Sequence, residues 1–182
     1  MPSNLSQQGF GVIAAFGADR IGLLNWISSS VTDLGGNIER ATVDCGGGQC
    51  VIFALVSGTA DQLQLFENEL PRLQSKTGLT VTFKTVHKPT VPEGMRSVPW
   101  KIRLQGEDFP GLLRLVTQLL VKHGMTILSY VGDKYVPQYG TAGFTQEFIC
   151  LVPTKLERSA FLQDLQKLAD DNGFSIVQYG PA

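Results

Sequence analysis

Phe16-Gly17-Ala18-Asp19-Arg20-Ile21-Gly22-Leu23-Leu24 decides the fold, because it recurs 89 residues later as Gln105-Gly106-Glu107-Asp108-Phe109-Pro110-Gly111-Leu112-Leu113. Each copy follows an apolar run, carries an Asp suited to capping a helix, places a Gly three residues after it, and then opens an amphipathic helical pattern. That order predicts a strand, a tight loop and a helix start, built twice. Glycine in a helix's first turn costs about 1 kcal/mol against alanine. Its repetition at Gly22 and Gly111 therefore needs a reason, and close approach of a ligand or a neighbouring backbone is the expectation.

Outward from the first copy, the short apolar run Phe10 to Phe16 predicts a central strand buried on both faces. Leu24, Ile27, Val31 and Leu34 form a helical stripe that Gly35-Gly36 ends. Asn37 to Asp44 and Val51 to Val56, rich in Ile, Val and Thr, flank Cys45-Gly46-Gly47-Gly48-Gln49-Cys50 and predict a hairpin with a glycine-rich turn. Leu63, Phe66, Leu70 and Leu73 mark a second helix that Pro71 kinks or ends, and Leu79 to Val86 supplies a last strand. Lys88 to Pro99, with Pro89, Pro92, Pro99 and Gly94, has linker chemistry. From Trp100 the order repeats, with a longer loop around Pro137 and Gly140. The offset of 89 holds to Ile38 and Ile127 and reads as 96 between Leu55-Val56 and Leu151-Val152, which puts the insertion in that loop. The fold class expected is α+β: two tandem ferredoxin-like βαββαβ domains, each an antiparallel four-stranded sheet with its helices on one face. The domains are expected at 1–88 and 98–182, joined by a linker at 89–97.

Composition fits this reading. The 182 residues are 43% hydrophobic and 17% charged, well outside the regime of disorder. Six basic residues meet seven acidic ones through Lys88, and nine meet nine after it, so neither half has the basic footprint of a nucleic-acid binder. The polar start Met1 to Gly9 and the absence of an apolar run near the ~18 residues of a membrane span predict a cytoplasmic protein without membrane contact. Three cysteines, Cys45, Cys50 and Cys150, fit a reducing compartment and make a disulfide scaffold unexpected. Cys45 and Cys50 lie on a hairpin turn, but no second pair of ligands lies near in sequence, so they read as ordinary cysteines. No metal or cofactor is expected.

Gly17-Ala18-Asp19-Arg20-Ile21-Gly22-Leu23-Leu24, with Gly36-Asn37-Ile38-Glu39 closing the first helix into the second strand, resembles the ACT domain family. Asp108-Phe109-Pro110-Gly111-Leu112-Leu113 with Gly124-Met125-Thr126-Ile127 is similar. The resemblance implies two such domains with no enzyme attached: a regulatory homodimer that binds an amino-acid effector, with glycine among the candidates. It also implies control of transcription through a partner regulator, because the family lacks a DNA-reading helix. The ligand-binding residues it implies are Asp19, Arg20, Ile21, Gly22, Leu23, Asn37 and Ile38 in the first copy. In the second they are Asp108, Phe109, Pro110, Gly111, Leu112, Thr126 and Ile127. Ile21 departs from the Pro usual in the family, which Pro110 keeps; Thr126 departs where Asn37 fits. The two sites are therefore expected to differ.

Physical chemistry alone leaves other readings open. Backbone N–H groups at a helix start attract a carboxylate, yet a capping Asp19 or Asp108 would use up the same groups. Arg20 could pair a ligand carboxylate or be a solvated loop charge. His87 and His123 have no partner at catalytic or metal spacing, so no catalytic constellation emerges. Gly9-Phe10-Gly11-Val12-Ile13-Ala14 matches a dinucleotide fingerprint superficially, but it opens a strand rather than a helix. RNA-recognition domains share the strand order and need exposed aromatics with basic residues on the central strands; Val51 to Leu55 carries no such charge. The alternative to a regulatory binder is a small ferredoxin-like enzyme of the acylphosphatase kind, with Arg20 holding phosphate and Asn37 orienting water. Phe109 and Thr126 at the matching positions argue against it.

Overall fold

The computed structural model describes residues 8–136 and 142–182. The loop expected around Pro137 and Gly140 lies outside them. The chain divides between Thr90 and Val91 into two compact units. The division falls inside the proline-bearing stretch expected as the linker. The later part of that stretch is tied to the second unit, because Arg96 N–H donates to Val152 O at 2.7 Å and Thr154 N–H to Gly94 O at 2.8 Å.

The first unit runs β1 (Gly9–Ala18), α1 (Leu23–Thr32), β2 (Asn37–Gly46), β3 (Gln49–Gly58), α2 (Ala60–Thr77) and β4 (Thr80–Val86). The second runs β5 (Trp100–Glu107), α3 (Leu112–Lys122), β6 (Thr126–Tyr135), β7 (Gly143–Leu151), α4 (Arg158–Asn172) and β8 (Phe174–Pro181). The sheets are antiparallel with orders β2-β3-β1-β4 and β6-β7-β5-β8, the ferredoxin-like α+β arrangement in tandem.

Each core forms where the helix stripes meet one sheet face. Ile13, Ala15, Ile52, Ala54 and Val56 alternate inward and pack with Leu23, Ile27, Val31, Leu63, Phe66 and Leu73. Ile102, Leu104, Phe148 and Cys150 do the same beneath Leu112, Val116, Leu120, Phe161 and Leu165. The other side of β1 is only half covered: Val12 is intermediate while Ala14 and Phe16 are exposed. The expectation of a strand buried on both faces is thus corrected, because both helices lie on one face. In α1 the buried position is Leu23; Leu24 is 42% exposed and leaves the expected stripe. Pro71 neither ends nor interrupts α2, which continues to Thr77. A capping box at Thr59 and Gln62 and a left-handed Gly78 at the far end secure that helix.

Sheet register corrects the repeat arithmetic. Ala15 faces Ile52 and Leu104 faces Gln146, while Asn37 faces Ser57 and Thr126 faces Leu151. The offset on β3 and β7 is therefore 94, taken from those partners, and the second hairpin gained fewer residues than the sequence alignment suggested. Both units also break register at the same place, between Ile38 and Arg40 and between Ile127 and Ser129, a β-bulge just after the start of the second strand.

The hairpin turn brings the largest correction. Gly47 and Gly48 both take left-handed φ (60° and 76°), the two-residue turn whose twist matches its strands. That turn sets Cys45 directly opposite Cys50, Cα to Cα 4.1 Å, and the two form a disulfide. The cysteines read as ordinary from spacing are paired by register.

Candidate functional site

The repeated loop leaves β1 at Ala18 and enters α1 at Leu23. Asp19 does not cap the helix. Its backbone N–H donates to Gly48 O at 3.0 Å, tying the loop to the hairpin turn, and the N-cap is Gly22 at φ 91° with no side-chain cap. The second copy repeats this: Asp108 N–H donates to Ala142 O at 2.9 Å, and Gly111 at φ 93° is the uncapped N-cap of α3. The glycines therefore owe their place to the left-handed backbone, which L side chains adopt at a cost. Crowding is not the reason. A Cβ on Gly22 would meet only the Trp26 ring, at 4.0 Å, and one on Gly111 would meet nothing within 4 Å.

The consequence is an open helix start. Trp26 N–H makes the first intrahelical bond, to Gly22 O at 2.9 Å, and Leu115 N–H the equivalent one to Gly111 O at 3.1 Å. The N–H groups before them in each first turn have no intrahelical acceptor, although in the second copy Leu112 N–H donates weakly to Phe109 O at 3.5 Å, so its opening is the less free of the two. Leu23 and Leu112 turn their side chains into the cores, while Gly22, Ile21, Gly111 and Pro110 are exposed around the opening. Ile21 is fully exposed and its equivalent Pro110 is exposed, whereas Phe109, at the place of Arg20, packs partly against the second core.

The remaining expected site residues are less alike. The Arg20 guanidinium lies beside Gly78, where an added Cβ would stand 3.6 Å from its Nη1, so the cation sits at the C-terminal end of α2 and complements that helix's dipole. Asn37, exposed at the start of β2, donates from Nδ2 to Glu39 Oε1 at 3.0 Å, and Ser57 Oγ donates to the same oxygen at 2.5 Å. Gln8 Nε2 donates in turn to Ser57 Oγ at 3.1 Å. The Ser57 bond, then the Asn37 bond, hold the Glu39 carboxyl below its ordinary range, so Glu39 stays ionised. Ile38 is half-buried against the first core. Thr126 and Ile127 are exposed at the start of β6, and the bulge residue equivalent to Glu39 there is Leu128, so the second copy has no such polar chain. Sequence reading singled out Asn37 and missed Glu39 and Ser57, because only the bulge and the cross-strand register bring them together. Asp108 pairs with Lys134 at 2.6 Å, a partner 26 residues away that strand pairing alone supplies.

A crevice of the first unit lies elsewhere, between α1 and α2, about 410 Å³ in volume and bordered by Trp26, Ser30, Glu69, Arg72 and Lys76. None of the expected site residues borders it. Its lining is mostly polar and charged, but the loop is repeated in both units; the loop remains the candidate.

Known proteins bear on this geometry. Over 128 residues, 70% of this chain and 66% of the relative, the chain is 33% identical to the glycine cleavage system transcriptional repressor of Escherichia coli (strain K12). A solved structure of an unknown protein from Galdieria sulphuraria superimposes with a TM-score of 0.78 at 19% identity, covering 97% of this chain and 99% of that one. A second solved structure, provisionally named as a glycine cleavage system transcriptional repressor, gives 0.70 at 20% identity over 97% and 100%. At such identities these two speak for the fold, in both units. The model described as ACT domain matches residues 10–84, from β1 into β4, so the first unit is similar to the ACT domain family.

Proposed function

We propose that the chain is a non-catalytic, cytoplasmic regulator that binds a free amino acid at its ACT units and acts on transcription through a partner regulator, as a homodimer. The observation that carries this reading is the repeated, uncapped helix start at Gly22 and Gly111. Backbone donors and the positive end of a helix suit the carboxylate common to all amino acids. Asn37 and the ionised Glu39 stand with Gln8 and Ser57 at the opposite end of β1 from Gly22, so within one unit they do not reach the same ligand, and a second subunit would have to bring them to the loop. The two loops differ at Arg20 and Phe109 and at Ile21 and Pro110, so their ligand affinities are expected to differ.

A surface for the second subunit or the regulator is available on the first sheet. Phe16 and Val51, cross-strand neighbours, are 52% and 51% exposed, with Phe53 at 40% on the same face. With balanced charge and no basic helix, the regulation proposed runs through protein contact rather than through direct reading of DNA. The acylphosphatase alternative is disfavoured by the position of Arg20 beside Gly78 at the end of α2 and by Phe109 in its place in the second copy.

The test is a thermal-shift screen of the twenty amino acids on the full chain, because a ligand of the native state raises the melting temperature by mass action. The reading expects at least one amino acid to raise it and acetyl phosphate to be left unhydrolysed. Turnover of acetyl phosphate would replace it with the enzymatic one.

A further inference from the structure

We propose that Asp19, Cys45 and Cys50 form a thiol-gated site for a soft divalent cation such as Zn²⁺, open when the Cys45–Cys50 disulfide is reduced. The Asp19 carboxylate and the two Sγ atoms all lie within 4.8 Å of one another, drawn from the β1–α1 loop, β2 and β3. Asp19 and Cys45 are exposed and Cys50 is 2% exposed, so the site has a buried floor and an open mouth.

The second unit shows what this position requires. Asp19 and Asp108 are equivalent: each donates its backbone N–H to a carbonyl of the adjoining hairpin, Gly48 O or Ala142 O. Strands β2 and β6 start at Asn37 and Thr126, bulge after Ile38 and Ile127, and then run unbroken to Cys45 facing Cys50 and Lys134 facing Phe144. Lys134 therefore holds the place of Cys45. In the second unit its ammonium lies 2.6 Å from Asp108 Oδ2 and neutralises it. In the first unit Asp19 has no ion pair among the described residues and faces sulfur instead. A cation bound by the two sulfurs would supply the charge that Lys134 supplies in the other copy.

The chemistry of the donors selects the metal. Two thiolates and one carboxylate, completed by water, suit tetrahedral Zn²⁺ at about 2.3 Å from sulfur, whereas hard cations prefer all-oxygen sets. Opening the site requires a two-electron reductant. A dithiol is oxidised to its own disulfide as the Cys45–Cys50 bond becomes two thiols, and each thiol then loses a proton as its sulfur takes the metal. The turn can adjust to ligation, because Gly46, Gly47 and Gly48 have open space around them. Since Gly48 O holds Asp19 N–H, the site adjoins the loop that starts α1.

The test titrates Co²⁺, a spectroscopic stand-in for Zn²⁺, into the full chain reduced with a phosphine, and then displaces it with Zn²⁺. The expected result is one Co²⁺ per chain with sulfur-to-metal charge-transfer bands, no such bands in the oxidised protein, and loss of binding in Cys50→Ser. Asp19→Ala should weaken binding about tenfold or more. Cys45→Lys rebuilds the pair seen in the second unit; it should melt like the parent and bind no Co²⁺, which separates loss of the site from loss of the fold. The third thiol is an internal control: burial pushes Cys150 up to about 11, so it stays protonated and unligated. Absence of charge-transfer bands in the reduced parent would overturn the proposal, as would undiminished binding in Asp19→Ala or Cys45→Lys.

Discussion

Replacing Gly22 or Gly111 separates two explanations for a glycine that the sequence repeats. Both occupy left-handed backbone, φ 91° and 93°, and neither is crowded by a described neighbour. An alanine there should cost about 1–2 kcal/mol, the strain of that conformation, with no packing contribution. Asparagine tolerates the conformation better and should recover part of the loss. For a unit of this size, about 1 kcal/mol lowers the melting temperature by about 4–8 °C. Gly17 and Gly106 provide the contrast. They sit in strands without positive φ, but a Cβ would come within 2.8 Å of Leu79 Cδ2 at Gly17 and 2.9 Å of Phe174 Cα at Gly106. Crowding there should cost about 1–3 kcal/mol, and asparagine, being larger, should be worse than alanine. Urea unfolding of the four pairs of variants, followed by circular dichroism, reads both patterns. The reasoning fails if asparagine at position 22 or 111 is as harmful as alanine, or if both melt like the parent.

Gln146 is 7% exposed and its Oε1 has no partner among the described residues, at the position held in the first unit by Ile52; Gln146→Met should raise stability by about 1 kcal/mol or more, read by urea unfolding. Asp164 joins Lys122 and His123 at 2.6 and 2.8 Å, and the Lys122 bond, then the His123 bond, lower its carboxyl from the ordinary 3.8. A depressed carboxyl stabilises above its unfolded pKa and loses that contribution as pH falls through its folded one, so Asp164→Asn should melt lower than the parent at pH 7 and the gap should close in acid, measured as melting temperature against pH. The purified chain alone should give no specific gel shift with duplex DNA at sub-micromolar concentration and physiological salt.

The sequence made the fold legible because strand and helix periods switch cleanly at Asp19, Asn37, Asp108 and Thr126, and because the whole pattern recurs. Which face each strand buries was less legible. Phe10 to Phe16 is apolar at both parities, so its period could not show that Phe16 faces solvent. The glycines stand out in the sequence, but a left-handed cap looks the same in one dimension as any other helix start, so their positive φ is legible only in the backbone. Asp19 likewise looked like a cap because spacing cannot distinguish a side-chain acceptor from a backbone donor. The partners Glu39–Ser57, Asp108–Lys134 and Cys45–Cys50 are products of strand register, which depends on the Gly47-Gly48 turn and on bulges that leave no mark in composition.

The most direct test of the regulatory reading follows backbone amides by two-dimensional NMR while the amino acid with the largest thermal shift is titrated into the full chain. The account predicts saturable shifts centred on the first turns of α1 and α3, at Gly22 to Leu24 and Gly111 to Leu113, with unequal saturation between the two. Binding that perturbs only the α1–α2 crevice around Trp26, Arg72 and Lys76, or no saturable shift with any of the twenty amino acids, would contradict it.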